Sequence, residues 1–233
     1  MKIESNLTNL TPAYMDVIYE GMYDNDDICK RLDSKFSCQK RFLFQYKKLV
    51  NAVTSELIFG QSVSQFGITF GSQIDDTAIA IGEKGVYYII DINAQAIKRA
   101  EDKYGKLYKN LRFINSDAAY IKPQAIRDVV ICFMLLSDVP QTRRQKIINN
   151  ALQMLKPGGK AIFIDWHRPK FWHPLGWIVK MYNRLHRPFV EDFCSVSIKN
   201  SVSLTENNFE EFAWRQKLYF GGMFQKVVVT RNS

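Results

Sequence analysis

Between Phe66 and Asp91 the chain reads FGITFGSQIDDTAIAIGEKGVYYIID: a short apolar run, a glycine turn, a small-residue helix and a second apolar run that ends on an acid. Few folds accept that order. Two short apolar runs joined by a helix form a strand–helix–strand unit whose strands lie parallel. Gly71 sits where strand gives way to helix, a place that suits a residue without a Cβ. Asp91 follows twenty residues later, at the tip of Val86-Tyr87-Tyr88-Ile89-Ile90. In an open α/β sheet this spacing sets bare backbone under a ligand and a carboxylate where ribose hydroxyls can donate to it. A single glycine stands where such turns carry a series, so an ordinary βαβ turn reads the same way.

The pattern continues on both sides. Ser64 to Thr69, Val86 to Ile90, Leu111 to Asn115, Asp128 to Phe133 and Lys160 to Asp165 are each short and rich in Val, Ile or Phe, and are expected as strands. Asn93 is expected to cap a helix over Ala94 to Tyr104. Thr142 to Leu155 puts Ile147, Ile148, Ala151 and Leu155 on one apolar stripe. The alternation predicts a mostly parallel sheet with helices on both faces, in one α/β domain over 61–233. Residues 1–60 contain no strong strand and read as a helical lid or extension. A helix start at Thr11-Pro12 precedes Tyr14, Ile18 and Met22 at four-residue spacing, with Tyr19 and Tyr23 on an adjoining face. Cys38 to Leu57 is expected as one further helix. The tyrosines fit either a packed core or a cover over a ligand. In the last third, 166–192 is an aromatic and basic insertion, 204–213 is expected as a helix, and Trp214 to Arg231 as a hairpin turning at Gly221-Gly222.

At 233 residues the chain suffices for one well-buried domain with additional helices. Its net charge of +9 favours an acidic partner such as anionic lipid, nucleic acid or a negatively charged substrate, and also suits simple solubility. No apolar run approaches the ~20 residues of a membrane span, and the opening MKIESNLTNLTP lacks the apolar centre of a signal peptide. An intracellular protein is expected. Cys29, Cys38, Cys132 and Cys194 are scattered without CxxC spacing, which argues against a zinc site and a disulfide framework.

Acids recur at successive strand ends. Besides Asp91, Ser116-Asp117-Ala118 follows the third expected strand, and Met134-Leu135-Leu136-Ser137-Asp138 closes the fourth, where such sheets bind ligands. Leu155-Lys156-Pro157-Gly158-Gly159-Lys160 resembles the turn before the fifth strand of class I methyltransferases, and a closing antiparallel hairpin is their ordinary ending. That resemblance implies S-adenosylmethionine (SAM) as the ligand. GxxxxGK[ST] and a full GxGxxG, which a phosphate-bearing ligand would favour, are both absent. Asp91 is then expected at the ribose and Asp117 beside the adenine amino group. Phe70, Gly71, Ser72, Ile92, Ala118 and Met134 complete the cofactor site.

All three histidines fall within twenty residues, His167 and His173 in Asp165-Trp166-His167-Arg168-Pro169-Lys170-Phe171-Trp172-His173-Pro174-Leu175, and His186 beyond. Asp165 and His167 can form a general acid/base pair or offer oxygen and nitrogen to a divalent ion; His167 can equally bond the backbone. Here the chain resembles the RquA-type rhodoquinone biosynthesis proteins. The resemblance rests on IDWHRPKFWHPL at 164–175, on Arg187-Pro188-Phe189 with Asp192, and on Pro12-Ala13-Tyr14 with Tyr19 and Tyr23. It implies a class I methyltransferase fold that uses SAM as an amino donor, replacing a methoxy group of ubiquinone to give rhodoquinone with the help of manganese. Tyr14, Tyr19, Tyr23 and His167 would line the acceptor side, with Asp138, Asp165 and His167 as proton or metal partners.

After Pro174, Leu175, Ile178, Tyr182 and Leu185 share one helical face and Lys180, Arg184 and Arg187 the other. Such a helix either packs on the sheet or lies in a membrane interface. A lipophilic quinone substrate implies the latter, with a cytoplasmic protein held peripherally against an anionic inner membrane. Two other functions fit less of the chain: a conventional SAM-dependent methyltransferase on a quinone or small phenol, and a non-catalytic basic nucleic-acid-binding protein. No nucleic-acid partner is expected, because the basic residues are spread out and no RNA-binding motif is present.

Overall fold

The computed structural model describes residues 12, 14–15, 25–122, 127–202 and 210–232. Seven strands, β1 (Ser62–Phe66), β2 (Val86–Asp91), β3 (Leu111–Asn115), β4 (Arg127–Phe133), β5 (Leu155–Trp166), β6 (Phe212–Tyr219) and β7 (Phe224–Arg231), form one sheet in the order β3-β2-β1-β4-β5-β7-β6. β1 to β5 pair in parallel; β7 runs antiparallel to both β5 and β6. This is the expected seven-stranded Rossmann-like arrangement of class I methyltransferases. The strand order reverses direction between β1 and β4, so a crevice opens past the C-terminal ends of those two strands.

Helices cover both faces. α1 (Asp26–Asp33), α2 (Lys35–Arg41), α3 (Tyr46–Thr54), α4 (Gln73–Ile81) and α5 (Ala94–Tyr104) include the residues Leu49, Val53, Ile74, Ile81, Ala100 and Tyr104, which pack in one core with Tyr87, Ile89, Ile131 and Ile162. On the other side, α6 (Gln141–Gln153) packs Ile147, Ile148, Ala151 and Leu152 against Val130, Cys132, Ala161 and Phe163. Ile147, Ile148 and Ala151 of the expected stripe are thus on its buried face, while Leu155, its fourth member, lies past the helix as the first residue of β5. α5 begins where expected: Asn93 accepts from the N–H groups of Gln95 and Ala96 at 3.0 and 2.9 Å. α7 (Gly176–His186) and α8 (Val190–Ser195) follow β5.

Four further local expectations differ from the structure. β1 ends at Phe66, not Thr69, because Gly67 at φ +83° turns the chain out of the sheet. The single helix expected over Cys38 to Leu57 is two, α2 and α3, separated by Leu43 and Phe44 at φ 52° and 60°. That break lets Phe42 and Tyr46 stack at 5.5 Å and turns the Tyr46 hydroxyl toward the chain after β1. Pro157 to Gly159 do not precede β5 but bulge out within it: Leu155 pairs with Arg127, and pairing resumes at Lys160 with Val129. Phe212 and Ala213 belong to β6 rather than to a helix, pairing with Arg231 and Thr230; residues 204–209 of that expected helix lie outside the described residues. The hairpin itself turns at Phe220–Gly222 as expected.

Candidate functional site

The crevice at the switch point is a cleft of about 310 Å³, within the lower part of the range for small-molecule sites. Its floor comes from the ends of β1, β2 and β4: Gly67 to Phe70, Asp91 with Ile92, and Met134 with Leu135. Two glycines four apart bracket the turn after β1. Gly67 approaches Leu135 so closely that a Cβ would lie 3.2 Å from Leu135 Cδ1. Gly71, at φ +95°, leaves no room for one beside the Tyr46 hydroxyl and Cys38 Sγ.

Polar groups of this turn are held from outside it. Gly71 N–H donates to Asp33 Oδ1 (2.6 Å), and its carbonyl accepts from the Tyr104 hydroxyl (3.2 Å). Tyr46 donates to the Phe70 carbonyl and accepts from Gln73 N–H, both at 3.0 Å. Thr69 donates to the Gln73 side chain. The loop thus owes its shape to side chains on α1, α3 and α5 rather than to a run of glycines.

Asp91 ends β2 under this loop. Its Oδ2 accepts from Ile68 N–H (2.7 Å) and its Oδ1 from Asn93 N–H (2.8 Å), which ties the β1 and β2 turns together. Each oxygen retains a lone pair for a hydroxyl in the cleft. Burial raises its pKa to about 6, against the lowering effect of those N–H donors. Tyr14 lies nearby, edge-on to Phe189 at 6.1 Å and under the Arg143 guanidinium. Burial pushes its phenol up to about 12, so at neutral pH Tyr14 is a donor and a cover, not a base.

Of the residues singled out in the sequence, Tyr14, Phe70, Asp91, Ile92, Met134 and Asp138 line one cleft. Gly71 and Ser72 stand behind it, Ser72 donating to Asp76. Asp117 is ion-paired with Arg143 and accepts from Ala119 N–H, so its carboxylate is engaged before any adenine arrives. Ala118 is buried in the α6-side core and accepts from Asn150. Tyr19 and Tyr23 lie outside the described residues.

The proposed metal set does not assemble. Asp165 is fully buried, its oxygens accepting from Ser137 N–H (3.1 Å) and Trp166 N–H (2.7 Å). Burial raises it to about 6. It clamps the turn Leu136–Asp138 to β5. His167 Nδ1 lies 2.9 Å from the Gly222 carbonyl and His167 N–H donates to Met223, which fastens the residue to the β6–β7 turn. Asp138 faces Arg187 at 3.4 Å. Among the described residues no three His, Cys, Asp or Glu side chains converge to hold a metal, so this donor set does not fit manganese.

Arg41, which the sequence did not single out, and Tyr182, His186 and Arg187 of the expected aromatic and basic insertion complete the walls. Arg41, its guanidinium 5.4 Å from the Phe70 ring centroid, brings a cation to the loop end. Opposite the floor stand Tyr182, His186 and Arg187, the last over the Trp166 ring. Gly67 falls within the first expected strand, although a glycine between Phe66 and the turn is a signal that could have ended it. Arg41 was one of several basic residues on a helix, with nothing local to mark it.

Residues 63–159 match the family described as a methyltransferase domain. Curated relatives include the ubiquinone/menaquinone biosynthesis C-methyltransferase UbiE of Vibrio vulnificus strain YJ016, 25% identical over 127 residues, covering 53% of this chain and 48% of the relative. That of Stutzerimonas stutzeri is 32% identical over 92 residues, covering 38% and 35%. Each match thus spans about half or less of the relative's length. Among solved structures, the N-methyltransferase NodS of Bradyrhizobium japonicum in complex with S-adenosyl-L-homocysteine superposes with a TM-score of 0.61 at 14% identity, covering 94% of this chain and 98% of that one. A SAM-dependent methyltransferase of Aquifex aeolicus gives 0.56 at 17%, covering 89% and 98%. These structures share the fold.

Proposed function

We propose that this chain, whose residues 63–159 match a methyltransferase domain, is a SAM-utilising transferase acting on the ring of a ubiquinone-like quinone, and that the amino nitrogen of SAM replaces a ring methoxy group, which leaves as methanol, yielding rhodoquinone. One observation carries the acceptor assignment. The segment that resembles rhodoquinone biosynthesis proteins sends Arg187, with Tyr182 and His186 from α7, into the wall of the cleft that holds Asp91. The methyltransferase-domain match ends at residue 159, before that segment begins.

In this reading Asp91 accepts from the ribose hydroxyls, while Ile92, Met134 and Leu135 flank the adenine with apolar surface. Arg41 meets the carboxylate of the methionine moiety, a charge-assisted contact at the loop end. The loop's own polar groups at Phe70 and Gly71 are bonded to Tyr46, Asp33 and Tyr104, so the amino end of the cofactor is left to face the acceptor. Tyr182 and His186 offer ring surface to the quinone. Arg187, steadied by Asp138, is the cation for the carbonyl oxygen on which negative charge builds when a nucleophile adds to the quinone ring.

Methyl transfer to a quinone is the second reading, favoured by the curated relatives, whose names give them as C-methyltransferases of ubiquinone and menaquinone biosynthesis. SAM carrying heavy nitrogen in its amino group and heavy carbon in its methyl group separates the two. Incubated with the protein and ubiquinone, with and without manganese, amino transfer puts the heavy nitrogen in the quinone. Heavy carbon in the product selects methyl transfer, and an unlabelled quinone overturns both.

A further inference from the structure

Half of the large apolar side chains exposed among the described residues lie in one short segment, between Phe171 and Leu185. Phe171 is fully exposed, and Leu185 and Trp177 are 72% and 66% exposed. α7 explains this concentration. It rests on the protein through Gly176, Val179 and Asn183, a narrow stripe of one small, one aliphatic and one amide residue. At about 100° per residue, Trp177, Ile178, Met181 and Leu185 then point away from the protein. Lys180 and Arg184 edge that outward face on one flank. Tyr182 and His186, which line the cleft, edge it on the other.

We propose that this face docks on the surface of an anionic phospholipid bilayer, with α7 lying in the plane of the interface and the cleft opening along its inner flank at headgroup level. The charge pattern chooses the occupant. From Trp166 to Val190 the chain carries Arg168, Lys170, Lys180, Arg184 and Arg187 and no acid. Arg168, Lys170, Lys180 and Arg184 are exposed around the apolar face. Aromatic side chains in that setting, Trp172 and Trp177 among them, suit the boundary between headgroups and acyl chains. At 11 residues α7 is about 16 Å long, too short to cross a hydrocarbon core of about 30 Å. Among the described residues no helix is long and apolar enough to span a membrane. Docking does not depend on which group is transferred, but it would bring a lipid-borne acceptor to the Tyr182 side of the cleft.

Flotation of the full chain with vesicles tests this, using phosphatidylcholine alone and phosphatidylcholine mixed with phosphatidylglycerol. The wild type should float with the mixed vesicles, several-fold less with the neutral ones, and less as salt is added. Joint substitution Trp177→Ser, Met181→Ser and Leu185→Ser should reduce flotation about tenfold or more while leaving the melting temperature and SAM affinity unchanged. Lys180→Glu with Arg184→Glu keeps the apolar face intact and should abolish the preference for anionic vesicles. The proposal is overturned if the wild type does not float with the mixed vesicles, if the triple variant floats as well as the wild type, or if neutral vesicles serve equally. A dimer dissolved by the same substitutions, without vesicle binding, would assign the face to a second copy of the chain instead. Loss of SAM binding in the wild type would count against the transferase reading alone.

Discussion

At the scale of single residues, Asp91 and Gly71 hold the turns after β1 and β2 together for different reasons. In the proposed site Asp91 must be ionised to accept from two ribose hydroxyls, and burial has moved its pKa to about 6. Because that value is raised, the charged form is the one the fold disfavours. SAM affinity should therefore be constant above neutral pH and decline as pH falls through about 6, and Asp91→Asn should flatten that decline; calorimetric titration across the range checks both. Gly71→Ala puts a Cβ against the Tyr46 hydroxyl at φ +95°. It should destabilise by at least ~1–2 kcal/mol, read from denaturant melts. Tyr46→Phe removes the partner of buried Gln73 N–H and should cost about 1–3 kcal/mol. Asp91 was legible from the sequence because its position at a strand tip is a local fact. The engagement of Asp117 by Arg143 and the fastening of His167 to Gly222 were not, since each joins segments more than twenty residues apart in the chain.

At the scale of elements, strands and helices with a clear period came through in the sequence almost to the residue. β3 spans Leu111–Asn115 and α5 Ala94–Tyr104 as expected. Errors gathered where a backbone turn overrides composition. Gly67 ends β1 early, Leu43 and Phe44 break a helix whose apolar pattern runs on, and a bulge absorbs Pro157 to Gly159 into β5. α7 shows a related limit. Spacing picked out Ile178 and Leu185 of its apolar face, with Tyr182, which turns to the cleft, but spacing cannot say whether that face points in or out. The structure turns it outward, because Gly176 and Asn183 sit on the inner side. Its contribution to the cleft leads to a kinetic expectation. If Arg187 serves the acceptor as proposed, Arg187→Ala should leave SAM affinity within about twofold yet lower turnover by about 10²-fold or more, as loss of a cation at a developing oxyanion does. Equal losses in SAM affinity and turnover would instead put Arg187 at the cofactor.

At the scale of the whole molecule, a half-buried acid ties the N-terminal helices to β5, β6 and β7. Glu56, just past α3, pairs with Lys226 of β7 at 2.8 Å, Lys160 of β5 at 3.3 Å and Arg215 of β6 at 2.7 Å. Burial alone would raise Glu56, but Lys226, Lys160 and Arg215 outweigh it and hold its carboxyl below the usual range. Its contribution is thus present at neutral pH and lost as pH falls through that lowered value. Glu56→Gln leaves buried Lys226 without a counter-charge. Stability near neutral pH should fall by about 3 kcal/mol, and the difference from wild type should shrink in acid.

All of this rests on the cleft at the ends of β1, β2 and β4 being a SAM site, and isothermal titration of SAM into the wild type and Asp91→Ala near neutral pH tests that most directly. Binding by the wild type, weakened about tenfold or more when the carboxylate and its hydroxyl contacts are removed, is the expected result. Equal affinity in the two proteins, or no binding by either, would contradict it.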